Sequence, residues 1–161
     1  MKRHLQLPIT KYLRNAKQTS DLGRILANHV APRFYISLSG ELGSGKTTLA
    51  RGLIQNLGVT QNIKSPSYSL IETYTIDTLT LCHFDFYRLT SALEFVDAGL
   101  GEYFESENIC IVEWPSIVAS AIRKPDIAID LQYSKTGRTA IIKSNTNAGD
   151  TYLLKTGLTE R

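Results

Sequence analysis

Residues 40–48 read Gly-Glu-Leu-Gly-Ser-Gly-Lys-Thr-Thr, a stretch whose residue types and spacing suit the binding of phosphate. Gly40, Gly45, Lys46 and Thr47 occupy the fixed positions of the P-loop pattern G-x-x-x-x-G-K-[ST]. Glycines let backbone N–H groups turn inward, and the N-terminus of the following helix adds partial positive charge. A lysine here reaches the β- and γ-phosphates of a nucleotide, and the next hydroxyl ligates Mg²⁺. The pattern therefore predicts a nucleotide site with a metal ion.

The segments on either side support this interpretation. Residues 33–39 are typical of a buried strand, and residues 48–57 are typical of a helix that ends at Gly58. Strand, glycine loop and helix form the structural context in which the pattern binds nucleotides, whereas a chance glycine loop would lack it. We expect the nucleotide to be held by Glu41, Leu42, Gly43, Ser44, Gly45, Lys46, Thr47 and Thr48.

Two acidic residues stand where apolar runs end: Asp85 follows residues 79–84, and Glu113 follows residues 109–112. The carboxyl ends of parallel strands line the ligand crevice of such sheets. Because its run is apolar on both faces, as in a central strand, Glu113 is the better candidate for a metal ligand beside Thr47. Asp85 is the better candidate for positioning or activating water, so Asp85, Lys46 and Glu113 form the expected catalytic set. The alternative for each acid is a solvated carboxylate at a strand end.

Other polar residues near these positions have two interpretations each. His83 is a possible catalytic base, although a packed histidine is the commoner case. Trp114 either covers the site or faces a partner, or it packs in the core. The loop of residues 65–68 has hydroxyls that could contact Mg²⁺ or phosphate, or it is simply a proline turn into a strand. Guanine specificity normally comes with Asn-Lys-x-Asp, which the chain lacks, so the pattern favours ATP over GTP.

The remaining pattern predicts the elements that position these residues. An edge strand is expected within residues 5–16, and a helix capped by Thr19 or Ser20 is expected to reach His29. The other predicted segments are strands over 68–76, 79–85, 108–113, 126–133 and 138–143, an interrupted helix over 92–104 and a short helix over 117–122. Two strand pairs are close enough in sequence for antiparallel hairpins. After Ser144 the pattern weakens into a polar tail.

Strands and helices that alternate around a P-loop predict an α/β fold. We expect a P-loop NTPase-like sheet, mixed parallel and antiparallel, with helices on both faces. A chain of 161 residues without repeats or linkers predicts a single domain over residues 1–161, in which about 144–161 are weakly patterned.

Composition excludes several classes of protein. Hydrophobic residues make up 42% and charged residues 20%, which is ordinary for a globular protein. The net charge of +3 is too small to argue for nucleic-acid binding on its own, and a pI near 8.9 is compatible with contact to RNA without requiring it. Cys82 and Cys110 both lie in apolar runs, which is typical of core thiols. No apolar run is long enough to span a membrane, and residues 5–10 are too short and polar for a signal peptide. The composition favours a cytoplasmic protein.

Taken together, these motifs resemble the bacterial TsaE (YjeE) family of tRNA threonylcarbamoyladenosine biosynthesis ATPases. The resemblance covers nearly the whole chain and is weakest before Thr19 and after about Lys143. It is carried by residues 21–27, 40–48, 65–68, 83–89, 113–115 and 137–138. The family usually has Ser-Pro-Thr-Phe where this chain has Ser65-Pro66-Ser67-Tyr68, which keeps the hydroxyl and aromatic characters.

The resemblance implies an ATPase that works with TsaD, which transfers the threonylcarbamoyl group, and with its scaffold TsaB. Its ATP cycle would reset that complex between turnovers, and tRNA would be reached through the complex. By the same resemblance Thr47 and Glu113 hold Mg²⁺, Asp85 supports hydrolysis and Arg138 lies near the nucleotide.

Two other functions compete with this interpretation. A P-loop kinase of a small molecule usually carries a lid with arginines, whereas residues 101–113 contain no arginine or lysine. A docking module that binds ATP without hydrolysing it is distinguished only by whether Asp85 and Glu113 can be replaced without loss.

Overall fold

The computed structural model describes residues 7–159 of the chain. The basic segment Met1–His4, the first residues of the expected edge strand and the last two residues lie outside the described part.

Within residues 7–159 seven strands form one sheet, ordered β1-β7-β6-β2-β5-β4-β3. They are β1 (Ile9–Leu13), β2 (Tyr35–Gly40), β3 (Ile71–Ile76), β4 (Leu79–Asp85), β5 (Ile109–Glu113), β6 (Ile127–Ser134) and β7 (Gly137–Ser144). Strand β2 is parallel to β5 and β6, and β5 is parallel to β4. The remaining pairs are antiparallel, including both predicted hairpins and the edge strand β1. The mixed sheet predicted from the sequence is confirmed.

Helices lie on both faces of this sheet. They are α1 (Ala16–Ala27), α2 (Lys46–Asn56), α3 (Ala92–Asp97), α4 (Glu102–Glu105), α5 (Asn147–Thr156) and a short 3-10 helix, Pro115–Val118. Strand β5 shows the two layers, because Ile111 packs with the α1, α2 and α5 side whereas Val112 packs with the aromatic cluster around Phe95 and Phe104. Every residue of β5 is buried, so the prediction of a central strand is confirmed. No helix between residues 7 and 159 has the length and apolar character that crossing a membrane requires.

Helix α1 begins earlier than the sequence pattern suggested. Its N-cap is Asn15, whose side chain accepts a hydrogen bond from the N–H of Gln18 at 3.0 Å. The Gln18 side chain in turn accepts from the N–H of Arg14 at 2.8 Å, so the two side chains satisfy the backbone donors of Gln18 and Arg14 at the start of the helix. The predicted cap at Thr19 or Ser20 is therefore wrong, and Thr19 is instead a buried residue inside the helix.

The segment before β6 was also predicted as a longer helix than the structure has. The chain forms a single 3-10 turn, Pro115–Val118, instead of a helix over residues 117–122. Proline at the start of this turn fixes the backbone, and Trp114 before it has a positive φ of 56°. The interruption predicted within residues 92–104 is confirmed, since α3 and α4 are separated around Gly99.

The residues after Ser144 form helix α5, so the prediction of a polar tail is wrong. Thr146 caps the helix by accepting from the N–H of Gly149 at 3.0 Å, and Gly157 ends it with a φ of 73°. Tyr152 and Leu153 are buried against the sheet. The sequence pattern did not indicate the helix because four of its first five residues, Asn147, Gly149, Asp150 and Thr151, are weak helix formers.

Candidate active site

The P-loop connects the end of β2 to the start of α2 through residues with left-handed backbone geometry. Gly40, Gly43 and Gly45 have φ values of 140°, 76° and 108°. At Gly40 a side chain is also excluded sterically, because a Cβ would lie 2.4 Å from the carbonyl oxygen of Leu131. The loop can therefore close only with glycine at these positions, and helix α2 begins at Lys46 directly behind it.

Lys46 is only 5% exposed, because its side chain extends from the start of α2 back to the loop. Its Nζ donates to the carbonyl oxygens of Gly40 and Glu41, at 2.8 and 2.9 Å, and lies 3.4 Å from Oγ of Ser44. The ring of Trp114 covers the ammonium group, with its centroid 4.1 Å from Nζ. Burial lowers the pKa of Lys46, and the nearby carboxylates Glu113 and Asp85 oppose that shift.

Thr47 and Glu113 form the oxygen pair on which a metal site depends. Oγ1 of Thr47 donates to Oε2 of Glu113 at 3.0 Å. The other carboxylate oxygen lies 3.3 Å from Nε2 of His83, which is fully buried beneath it. His83 is thus placed behind Glu113 instead of in the cavity, which makes it a packed histidine in contact with an acid.

These oxygens fit Mg²⁺ in kind and in number. Mg²⁺ is typically held by one or two protein oxygens together with substrate phosphates and water, not by a cage of side chains. Residues 7–159 contain no group of three or more His, Cys, Asp or Glu side chains placed to hold an ion. Thr47 and Glu113 would supply the protein ligands, and the rest of the coordination would come from the nucleotide.

Asp85 ends β4 directly beside Glu113, with which it is paired in register. Its carboxylate accepts from Oγ of Ser65 at 2.6 Å and from the N–H of Tyr87 at 2.9 Å. The two hydrogen bonds hold the carboxylate at the edge of the site while leaving acceptor capacity on both oxygens. The loop of residues 65–68 is thereby attached to the predicted catalytic acid.

A cavity of about 420 Å³ joins these groups. Of the predicted site residues, the cavity brings together Leu42, Gly43, Gly45, Lys46, Thr47, Thr48, Asp85 and Glu113. Ser44 and Glu41 contribute through contacts with Lys46 and do not line the cavity. Sequence reasoning assigned no role to Arg88, which also lines the cavity, although residues 83–89 are among those that carry the family resemblance.

A second cavity, of about 380 Å³, lies on the other side of the P-loop and shares Gly43, Gly45 and Thr48 with the first. Arg138 lines this cavity, donates from Nη2 to the carbonyl oxygen of Gly43 at 3.2 Å and stacks on Tyr133 at 4.1 Å. Its other lining residues include Asn15, Thr19 and Thr136. Two cations and two carboxylates line the first cavity, which suits phosphates and a metal ion, whereas neutral polar groups together with Arg14 and Arg138 line the second.

The two cysteines take no part in either cavity. Cys82 and Cys110 are buried free thiols on neighbouring strands, in register with each other. The hydrogen bond between them, together with burial, raises the pKa of the Cys110 thiol, so this group is kept protonated. The prediction that both are core residues is confirmed.

Comparisons with a family profile and with individual proteins all lead to the same family. A sequence profile of the threonylcarbamoyl adenosine biosynthesis protein TsaE matches residues 13–142. The tRNA threonylcarbamoyladenosine biosynthesis protein TsaE of Haemophilus influenzae is 35% identical, with 85% of each chain covered. Its counterpart of the same name in Treponema pallidum is 33% identical over 80% of this chain and 94% of its own length. The crystal structure of Bacillus subtilis YdiB has the same fold, with a TM-score of 0.82, 23% identity and coverage of 99% and 100% of the two chains.

Proposed function

The chain belongs to the TsaE family of threonylcarbamoyl adenosine biosynthesis proteins, and on that premise we propose that it hydrolyses Mg²⁺-ATP in the modification of tRNA. The observation that carries the proposal is the single cavity lined by Lys46, Thr47, Asp85 and Glu113. Those side chains supply a phosphate-binding cation, metal ligands and a carboxylate for water, which are the parts that nucleotide hydrolysis requires.

Binding of the nucleotide begins with Lys46. The lysine exchanges its hydrogen bonds to the carbonyl oxygens of Gly40 and Glu41 for bonds to the β- and γ-phosphates. The exchange is favourable because two phosphate anions stabilise a buried ammonium more than neutral carbonyls do. Thr47 and Glu113 would hold Mg²⁺, which would neutralise charge on the phosphates.

Hydrolysis then uses the carboxylate of Asp85. This group orients a water molecule and accepts its proton as the water oxygen bonds to the γ-phosphorus. The bond from the γ-phosphorus to the bridging oxygen breaks, and its electron pair leaves with ADP. The proton returns from Asp85 to solvent, and inorganic phosphate is released. The hydrogen bonds from Ser65 and Tyr87 keep the carboxylate aimed at the cavity.

The reaction is assigned to a complex with TsaB and TsaD in the cytoplasm. ATP turnover by this chain resets that complex between cycles of modification, and tRNA is met through the complex. Membership of the family supports this assignment, since its relatives bear the name of the tRNA modification.

Phosphate release from Mg²⁺-ATP tests the proposal, measured with the purified protein alone and with the matching TsaB–TsaD pair. We expect slow release alone, faster release with the pair, and a loss of at least about 100-fold in Lys46→Ala. Lys124→Ala, which removes an exposed lysine outside both cavities, is the matched control and should behave as the wild type.

Two results would contradict parts of the proposal. Release that does not respond to the pair would reject the assignment to that complex. Transfer of the γ-phosphate to a small-molecule acceptor, in place of its release, would identify a kinase.

A further inference from the structure

Arg88 lines the phosphate cavity, yet the reaction described above gives it no role. It lies in the turn that follows β4, where the N–H of Leu89 bonds to the carbonyl oxygen of Phe86 at 3.0 Å. The side chain is exposed, and its guanidinium stacks on the ring of Tyr68 at 4.0 Å. Arg88 is therefore a cation held at the cavity by an aromatic ring.

Arg88 adds a second positive charge to the cavity in which phosphates are proposed to bind. Of the residues that line the cavity, Lys46 and Arg88 are the cations, and Asp85 and Glu113 are the anions. Lys46 is buried behind the P-loop, whereas Arg88 is exposed and approaches from the strand that carries Asp85. Within the part of the chain that the structure describes, no carboxylate lies within ion-pair distance of the Arg88 guanidinium, so its donors remain free for a phosphate.

Tyr68 explains how a surface arginine can be held in one place. Its ring is 84% exposed, and the contact with Arg88 covers one face of it. The loop that carries Tyr68 is fixed at both ends, since Ser65 donates to Asp85 and the carbonyl oxygen of Pro66 accepts from the N–H of Leu70 at 2.7 Å. The loop thus connects the water-orienting carboxylate to the arginine.

We infer that Arg88 is a catalytic residue that contacts the γ-phosphate, and that Tyr68 is its positioning residue. As the bond to the bridging oxygen breaks, negative charge grows on the oxygens around the γ-phosphorus, and the guanidinium stabilises this charge together with the P-loop lysine. The inference rests on the proposed ATP hydrolysis, because it concerns the same cavity. If the stacking of Arg88 on Tyr68 only fixed the loop, replacing either residue would affect ADP and ATP binding alike.

The first test replaces the arginine. It compares affinity for an ATP analogue, which has a γ-phosphate, with affinity for ADP, which lacks one. Arg88→Ala should lower the affinity for a non-hydrolysable ATP analogue by about tenfold or more, and ADP affinity by less than about threefold. Turnover at saturating ATP should fall by about 100-fold or more. Arg88→Lys should recover only part of the rate, because a point charge neither stacks nor forms two parallel hydrogen bonds.

Arg24→Ala is the matched control for this series. It removes an exposed arginine of α1 whose partner is Asp21, outside both cavities. Its two nucleotide affinities and its turnover should equal those of the wild type.

The second test removes the ring that holds the arginine. Tyr68→Ala should lower turnover at saturating ATP by about two- to fivefold, the value of an exposed cation–π contact, with little change in KM. Tyr68→Phe keeps the ring and should restore the wild-type rate. A structural role for the stack would instead change the affinities for ADP and for the analogue together.

The outcomes separate this inference from the function on which it rests. Equal loss of ADP and analogue affinity in Arg88→Ala, or unchanged turnover, would overturn the role of Arg88 while leaving ATP hydrolysis intact. If the wild-type protein bound no nucleotide, the proposed function itself would fail. Turnover in Tyr68→Ala equal to that of the wild type would reject the positioning role of the ring.

Discussion

Glu113 is a buried carboxylate whose two oxygens face different partners. One accepts from Thr47 and the other lies against His83, so the side chain is held in a single orientation. In the proposed role of metal ligand, a carboxylate fixed in this way would need no rearrangement before the ion binds. The histidine acts on the site only through the acid that it touches.

Replacing this acid should affect the metal more than the nucleotide. In Glu113→Ala, the gain in ATP affinity that Mg²⁺ gives should fall at least about tenfold, because one of the two protein ligands is lost. Affinity without Mg²⁺ should stay within about threefold. Calorimetric titrations with and without Mg²⁺ measure both values, and Glu105→Ala, an exposed acid of α4, is the control. An unaltered Mg²⁺ dependence would remove Glu113 from the metal site.

Replacing the neighbouring acid, Asp85, should affect hydrolysis more than binding. Asp85→Asn keeps the shape of the side chain but cannot accept a proton from water, so hydrolysis should fall by at least about 100-fold. ATP affinity should change little, because Asp85 does not lie in the P-loop. Single-turnover phosphate release beside a binding titration checks both statements, with the exposed Asp97→Asn as control. A variant that hydrolyses ATP at the normal rate would move the role of base elsewhere.

At the residue scale, spacing in the sequence predicted the site residues that lie close together in one motif or at a strand end. It did not predict contacts between residues that are far apart in the chain. The P-loop pattern placed Lys46 and Thr47 in one short segment, and strand-end positions placed Asp85 and Glu113 at the same edge. The role inferred for Arg88 did not follow from spacing, because it involves a ring that lies 20 residues earlier in the chain and approaches the arginine only in the folded protein. Stacking of this kind has no fixed spacing.

At the scale of elements, the helix pair α1 and α2 supports the P-loop through an unusually close crossing. A Cβ on Gly23 would lie 2.3 Å from the carbonyl oxygen of Leu49, and one on Gly52 would lie 2.3 Å from that of Ser20. Both contacts are with backbone atoms, which cannot move aside without separating the helices. The same crossing brings Thr19 of α1 within 3.3 Å of the Cβ position of Gly45.

Adding a methyl group at this crossing should therefore destabilise the fold. Gly52→Ala gains about 1 kcal/mol of helix propensity, but the clash with backbone should outweigh it and lower the free energy of unfolding by about 1–3 kcal/mol. Denaturant titration measures the change. Gly101→Ala, where the nearest atom to a Cβ is 4.0 Å away, should stay within about 0.5 kcal/mol. Equal stability of the two variants would show that the helices can separate at no cost.

The sequence predicted best the elements in which apolar residues follow a clear pattern. Strand β6 alternates buried and partly exposed residues along its first half, and β5 is buried throughout, so both followed from the pattern. Helix α5 did not, because its N-terminal half, with Gly149 and Asp150, contains poor helix formers and is stabilised by tertiary contacts instead. Its glycine fits against the carbonyl oxygen of Asp126, a contact visible only in the fold.

At the scale of the whole molecule, the order of strands assembles the site from distant parts of the chain. Strand β2 lies between β5 and β6, so the P-loop is flanked by Glu113 on one side and by the β6–β7 hairpin with Arg138 on the other. The sequence predicted parallel neighbours for β2 but contained no information on which strands they are. That choice depends on how the apolar faces of all strands fit together.

A ligand that contacts several of these parts should stabilise the entire fold. At ADP concentrations 100-fold above its dissociation constant, the free energy of unfolding should rise by about 2.7 kcal/mol. For a domain of this size the midpoint of thermal unfolding should rise by roughly 5–10 °C. Lys46→Ala should show no such rise at the same concentration. An unchanged midpoint in the wild-type protein would contradict a nucleotide site that bridges these strands.

The position of β2 also has a consequence for the chain during its synthesis. The partner residues in β5 emerge from the ribosome about 75 residues after their counterparts in β2, and those in β6 emerge later still. At a translation rate of about 5–20 residues per second, β2 waits roughly 4–15 seconds without a neighbour. Tyr35, Ile36 and Leu38, all buried in the finished sheet, are exposed for that time. The strand that leads into the P-loop is thus a part of the nascent chain that needs protection from aggregation.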